Sequence, residues 1–557
     1  MLLSLCCVIS IITGFFCRMS LKPFKVALLA LLALILLPPF TENILSKFKW
    51  TPLNVIEEHN TPYGLLSLIQ NDDQSDIYFN SLRTESFPDF ASKEVMVHLP
   101  ALQLTEYNSA LVIGGNPYTI ADELTKYQFG SIKSIILDNA LLAIYKRFTN
   151  MENNNDIPEI IVNDGRSYLA KDTSNYDLIL LSYGLIQSSM NGRYGTFEFF
   201  NIASEHLSSD GILSFSIASN DNYISTSQAM FINSIINSLN NTYKQVSVII
   251  GNNITFISSN RDIPFDFRPE FYENRLDNLN IVNIYFNRGY LRDILSPFRQ
   301  SELTSRLGKY DNLKISNSDL LPVGYFYSLL STDEFAVHKW ISDLLQLPKY
   351  RLSVSIASLL IILLMIILPL LLFYKDSVSY GLSLATIITS GFSVMLLELI
   401  AIYFFQNIYG SIYVNITLLI AGFMFSGIFG VIGTKIVLGK YQKLNPLYIT
   451  QSATFILFTI ILIPFIMLSL PSGKYSIVLI IITGFAGGIS FVGVSRTISR
   501  LKSDYNPAVA YGYELFGAGI ASLIGAPLLL PLIGVNYLFV IILIMNCIVW
   551  CLILLNR

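Results

Sequence analysis

Apolar positions fall into three regimes along the 557-residue chain. Two uninterrupted apolar stretches, about 2–17 and 26–41, open it; they are separated by RMSLKPFK, and the second is ended by Pro38-Pro39. Each is short for the ~20 residues of a spanning helix, and no charge precedes the first, as a signal peptide would require, so both read as helices. From about 45 to 345 the apolar residues break into short β-branched runs between clusters of Asn, Ser and Asp. After Arg351 long apolar runs return and predict seven further spans, at 352–374, 379–405, 411–434, 446–470, 475–494, 508–531 and 537–556. Nine helices flanking one polar domain is the organisation this pattern predicts.

Within the polar part, the runs ALVIGG, SIKSIILD, EIIVND, YDLILLS and GILSFSIAS read as strands, and QAMFINSIINSLN as an amphipathic helix. Strands alternating with helical segments imply a doubly wound parallel sheet, which binds ligands at the carboxyl ends of its strands. The stretch LLSYGLIQSSMNGRYGTFEFF, from Leu180 to Phe200, is strand up to Ser182 and helix from Thr196. Its turn is where chemistry is expected.

Composition narrows the class. With 52% hydrophobic residues, 13% charged and a mean hydropathy of +0.53, this is a membrane protein with a soluble part, its partner being the lipid bilayer. A net charge of -3 gives no basic field for nucleic acid, and the four His are too scattered for a metal cage. The five Cys (Cys6, Cys7, Cys17, Cys547, Cys551) all lie in apolar terminal stretches, so the middle has no disulfide framework and no thiol nucleophile. Lys and Arg are retained in cytoplasmic loops. RMSLKPFK, the connection with Lys435, Lys440 and Lys443, and the one with Arg496, Arg500 and Lys502 fall on one face by helix count. QNIYGS and GVN carry no cation and LPSGK only Lys474, which puts the polar domain on the extracytoplasmic side; Lys349 and Arg351 point the other way.

The segments ASKEVMVHLPALQL, SALVIGG, PEIIVNDGRSYL, YDLILLS and FEFFNIASEHLSSDGILSFSI, in this order, resemble the spermidine synthase (polyamine aminopropyltransferase) family over about 60–260. TPYGLLSLIQNDDQSDIYFN is similar to that family's small N-terminal β-hairpin region. ISNSDLLPVGYFYSLLS, TSGFSVMLLELIAIYFFQNIYGS and AYGYELFGAGIASLIGAPLLLPLIG resemble its membrane-fused bacterial branch, in which a longer N-terminal bundle is expected. The resemblance implies an α/β Rossmann-like domain, similar to S-adenosylmethionine methyltransferases, inserted between transmembrane segments. The corresponding division is 1–44, two transmembrane helices; 45–105, β-hairpin region; 106–260, Rossmann-like domain; 261–350, α/β extension; and 351–557, a seven-helix bundle.

Against that family the chain departs where the chemistry should be. The glycine loop GGGDGG becomes Gly114-Gly115-Asn116-Pro117-Tyr118-Thr119, where Pro removes an amide donor and Tyr fills space. Ile136 takes the slot of the ribose-binding acid, with Asp138 two residues later as either a substitute or a helix N-cap. Asp164, followed by Gly165, matches the residue that accepts from the adenine amino group, or forms an Asp-Gly turn. Ser182, Tyr183, Gly184, Leu185 and Ile186 cover the positions of the proton-accepting acid, and none is a base near neutral pH. The family's Tyr-His-Glu becomes Ser92-Lys93-Glu94, so Glu94 alone matches, as a cleft residue or a helix-surface charge. Arg193 and Tyr194 either line the cleft or pack its loop. These changes predict a degenerate member with no catalytic residue and no cofactor; if activity persists, the cofactor is S-adenosylmethionine or its decarboxylated form.

Ionisable residues inside apolar spans are candidates by default. Glu398, on one helix with Ser390 and Ser393, marks a cation or proton pathway or an interhelical hydrogen bond; Glu514 is expected to pair with Arg496. Small residues at Gly427, Gly430 and Gly433, and at Gly517, Gly519, Ala521 and Gly525, predict close helix packing. Three functions follow: a non-catalytic binding or assembly protein of a bacterial plasma membrane, taking a small cationic ligand or a protein partner; a transporter of polyamines or other cations; or an active aminopropyltransferase.

Overall fold

The computed structural model describes residues 49–147, 158–182, 189–218, 224–251, 253–308, 315–331, 349–373, 377–410, 413–443, 445–468, 473–502 and 506–556. The expected helices at 2–17 and 26–41 and the positions Tyr183 to Ile186 lie outside the described residues. The chain divides into two compact units between Asp89 and Phe90.

The first unit holds a four-stranded antiparallel meander: β1 (Asn54–Asn60), β2 (Leu65–Asn71), β3 (Gln74–Phe79) and β4 (Leu82–Phe87). Leu66, Leu68 and Ile77 form its buried side. Its hairpins turn through Asp72 and Asn80, both in the left-handed conformation that short polar side chains tolerate.

The second unit begins with α1 (Phe90–Ala101) and continues as β5 (Ser109–Ile113), α2 (Pro117–Thr125), β6 (Ser131–Ile136), α3 (Asn139–Arg147), β7 (Glu159–Val162), α4 (Gly165–Leu169) and β8 (Tyr176–Leu181). Then come α5 (Phe197–Glu205), β9 (Leu207–Ala218), α6 (Thr226–Asn240), β10 (Gln245–Ile250) and β11 (Asn253–Ser259). The strands form one seven-stranded sheet in the order β7-β6-β5-β8-β9-β11-β10. From β7 to β9 all pairings are parallel, and β11 is antiparallel to both its neighbours. Ala110 to Ile113 and Leu178 to Leu181 are buried, as expected of central strands covered on both faces, which is why they read as continuous apolar runs. The chain leaves β5 toward β6 on one side and returns to β8 on the other, so the carboxyl ends of β5 and β8 form the topological switch point.

Helices α7 (Pro269–Asn278), α8 (Arg288–Ile294), α9 (Pro297–Gly308) and α10 (Val323–Ser331) lead to the bundle. The bundle comprises α11 (Lys349–Leu372), α12 (Val378–Tyr409), α13 (Tyr413–Lys440), α14 (Pro446–Leu468), α15 (Gly473–Leu501), α16 (Pro507–Ile520) and α17 (Val535–Leu555). Between the last two, the helix widens into a π-helical segment, Ala521–Leu529, around Pro527 before a final turn, Leu530–Ile533. Among the described residues six helices are long and apolar enough to cross a membrane. Within α11 the described residues hold a shorter apolar stretch, Leu359–Leu372.

Glycine sets the helix crossings. A Cβ at Gly430 would strike the carbonyl of Phe485, and one at Gly517 the carbonyl of Ile388, so these backbones touch. Gly433 and Gly519 share the spacing but face open space, with nothing within 4 Å of where a Cβ would sit. Gly430→Ala is therefore expected to destabilise the bundle by about 1–3 kcal/mol through overpacking. Gly433→Ala is expected to be neutral or to stabilise by up to about 1 kcal/mol. Thermal unfolding of the purified variants in detergent distinguishes the two.

Candidate functional site

The loops after β5, β6 and β7 lie at the carboxyl edge of the sheet, beside the end of β8. After β5 the chain turns through Gly114 and Gly115, both at positive φ (81° and 68°). Asn116 then caps α2, its Oδ1 accepting from the Tyr118 amide at 3.0 Å, with Pro117 in the first turn. A side chain at Gly115 would collide with that of Ser182 at the end of β8, so the loop after β5 closes on that strand end. Asn116 and Tyr118 are buried beneath them.

After β6, Asp138 Oδ1 accepts from the Ala140 amide at 2.8 Å and caps α3, while its Oδ2 is buried with no hydrogen-bond partner. Ile136, in the slot of an acidic residue, is core. After β7, Asp164 Oδ1 accepts from the Ser167 amide at 2.9 Å and caps α4, which begins at Gly165. Its Oδ2 takes the guanidinium of Arg193. Arg193, 1% exposed, lies 5.0 Å over the ring of Tyr194.

The same edge is docked onto α12, one of the helices long and apolar enough to cross a membrane. Arg193 Nη1 donates to the Asn407 carbonyl at 3.3 Å, and Ser167 Oγ to the Ile408 carbonyl at 3.0 Å. Both carbonyls belong to the last turn of α12, which has no intrahelical donors for them and carries the negative end of the helix dipole. Gly410 ends α12 at positive φ, and a Cβ there would lie 3.3 Å from Asp164 Oδ2.

A strap over residues 315–323 reinforces the junction. Arg166 holds Asp319 through two bonds, at 3.0 and 2.5 Å, and donates to the Arg193 carbonyl at 3.2 Å. Burial alone would lower the affinity of the Arg166 guanidinium for its proton, but the Asp319 carboxylate more than reverses this. The Asp319 amide donates to Glu198 Oε2 at 2.8 Å, and Tyr403 of α12 donates its hydroxyl to the Asp319 carbonyl at 3.0 Å. The Val535 amide of α17 donates to the Leu320 carbonyl at 2.9 Å, which ties the strap to the turn between the two final helices of the bundle. Burial and then the nearby Asp319 charge push the Glu198 carboxyl up to about 7.

Other expected site residues lie elsewhere. Glu94 is buried and accepts from the amides of Ile284, Tyr285 and Phe286 at 2.9, 2.7 and 2.7 Å, so its carboxylate anchors a loop to α1. Glu398 on α12 and Glu514 on α16 line one cavity within the bundle. Among the described residues no ion pair joins Glu514 to Arg496, the pairing expected from the sequence; Glu514 lines the cavity instead. Sequence reasoning missed the Arg166–Asp319–Glu198 cluster, although both DGRSYL and ISNSDLL carry the resemblance; no local signal links residues 153 positions apart.

A mixed sheet of this strand order, with loops carrying Gly114-Gly115, Asp138 and Asp164 at its switch point, defines a Rossmann-like domain joined to a helical bundle. Residues 89–250 match the family model for the spermine/spermidine synthase domain, and this part of the chain is a spermidine synthase-like domain. Polyamine aminopropyltransferase 2 of Aquifex aeolicus is 25% identical over 223 residues, which cover 36% of this chain and 45% of the relative; the chain thus spans less than half of that protein's length. Among solved structures, a spermidine synthase in complex with the transition-state analogue AdoDATO is 17% identical, with a TM-score of 0.40 over 46% of this chain and 89% of that one. Spermidine synthase from Thermotoga maritima is 16% identical, with a TM-score of 0.38 over 46% and 87% of the two chains.

The junction makes two expectations testable. Asp164→Asn or Arg193→Ala alone leaves a buried charge without its partner and is expected to cost about 3–5 kcal/mol. The paired change Asp164→Asn with Arg193→Leu should cost less than the sum of the singles, as read by unfolding of the four proteins. Glu198 binds its proton more tightly folded than unfolded, so the stability it contributes is complete below the usual Glu range of about 4.3 and is lost as pH rises through about 7. The melting temperature of the wild type should therefore fall between about pH 5 and about pH 8, and Glu198→Gln should flatten that slope.

Proposed function

We propose that this chain is a multi-pass protein of a bacterial plasma membrane in which a spermidine synthase-like domain has given up aminopropyl transfer and serves as an extracytoplasmic cap for binding or assembly. One observation carries the reading: Asp164, the residue aligned with the adenine acceptor, has one oxygen on the α4 cap and the other on Arg193, under the end of α12.

The nucleoside of decarboxylated S-adenosylmethionine would need acceptors and space at this edge. Asp138 Oδ2, buried without a partner, suits one ribose hydroxyl. Both Asp164 oxygens already accept a hydrogen bond, so adenine would have to share Oδ2 with the Arg193 guanidinium; Gly115 is packed against Ser182, and Ile136 offers no side-chain acceptor. These residues do not fit the cofactor. Ser182 cannot take a proton from an amine near neutral pH.

Charge asymmetry supports the side. The domain bonds to the helix ends at Asn407, Ile408 and Val535. Lys435, Lys440, Arg496 and Arg500 lie toward the opposite ends of α13 and α15, the ends retained in the cytoplasm. A domain on the outer side does not meet a cytoplasmic cofactor.

Full-length protein in lipid nanodiscs, titrated calorimetrically with S-adenosylmethionine and with its decarboxylated form, is expected to give no binding at millimolar concentration and no aminopropyl transfer to putrescine. Saturable binding with transfer would overturn the reading.

A further inference from the structure

We propose that the cavity between α12, α13, α15 and α16 is a binding site, entered from the lipid side, for an organic cation with an amine head and an apolar body, and that Glu398 and Glu514 are its anionic ligands. The site goes beyond the capping role and does not depend on it.

The cavity measures about 470 Å³ and holds both carboxylates, brought from two different helices. Among the described residues no Lys, Arg or His lines it. Glu398 is 7% exposed, and among the described residues neither carboxylate has a hydrogen bond or an ion pair within the protein. The interhelical hydrogen bond that would explain Glu398 structurally is not made. Ser393, on the same helix, donates instead to the Thr389 carbonyl at 2.8 Å and accepts from Asn546 at 2.9 Å. Unpaired acids within an apolar bundle are costly to keep charged, and a bound cation removes that cost.

The remaining walls select the kind of cation. Phe423, Phe491 and Tyr511 offer aromatic surfaces to an ammonium group. Met395, Val394 and Leu515 suit an alkyl body. A metal ion is a poor match, because hard cations take six or more oxygen ligands and the lining beyond the two acids is almost wholly apolar. At the mouth, Met424, Ile428 and Leu515 are 62%, 53% and 51% exposed on the outer face of the bundle, so the opening is toward lipid.

Space is left here without being demanded by helix contact. Gly488 is needed, since a Cβ there would strike the Gly427 carbonyl. A Cβ at Gly487, which also lines the cavity, would make only an ordinary contact with Val394 at 3.5 Å. A side chain is thus tolerable at Gly487, and its absence keeps the cavity open.

The ammonium group of an aminolipid shares this chemistry with a free alkyl amine, and the experiment separates the sources. Full-length protein in phosphatidylcholine nanodiscs is titrated with radiolabelled 1,8-diaminooctane, and in parallel Glu398 and Glu514 are modified with dicyclohexylcarbodiimide and mapped by mass spectrometry. Saturable binding is expected, with at least tenfold weakening by Glu398→Gln and by Glu514→Gln. Gly487→Leu, which keeps both acids, should weaken it as well. The diamine should protect both carboxyls of the wild type from the carbodiimide, a readout that needs no variant to fold. Competition by added phosphatidylethanolamine would make the natural ligand a lipid; its absence would make it a free amine. No saturable binding at millimolar concentration, unchanged binding in both glutamine variants, or labelling indifferent to the diamine would each overturn the proposal.

Discussion

The structure turns on the burial of one guanidinium. Arg193 is almost wholly withdrawn from solvent, and a charge so placed must find an opposite charge and acceptors for its N–H groups. Asp164 supplies the charge, and the last turn of α12 supplies the Asn407 carbonyl that the helix itself leaves unbonded. Each group thus answers another's deficit, and the carboxyl edge of the sheet is held against α12 by the same contacts.

The junction extends beyond that pair. Arg166, Asp319 and Glu198 join α4, the strap and α5, while Tyr403 and Val535 reach the strap from the bundle. Sheet and bundle consequently share a buried polar network in which most members serve two neighbours. Such networks are strong when complete and weak when one member is lost, so domain and bundle are expected to unfold together at this edge.

Much of the fold is legible in the sequence because its signals are local. Continuous apolar runs such as YDLILLS mark central strands, and the Asn116-Pro117 and Asp164-Gly165 steps mark helix starts with their own caps. The site is less legible. That Asp164 answers to Arg193, 29 residues on, and Arg193 to a helix end more than two hundred residues further along, depends on tertiary packing and leaves no periodic trace. Within the bundle, closeness in sequence misleads. Arg496 and Glu514 flank one connection but form no ion pair among the described residues, and Gly433 keeps the spacing of Gly430 while facing away from any neighbour.

A capping role requires the sheet edge to stay docked on α12 in the working protein. Pairing Ser167→Cys with Ile408→Cys, in a chain whose five native cysteines are replaced, tests this in native membranes. A short bifunctional thiol reagent is expected to join the two positions within one chain rapidly and nearly completely. Free thiols at both positions in folded protein, or cross-linking that S-adenosylmethionine suppresses, would mean that the edge opens to admit a nucleoside, and would contradict the account.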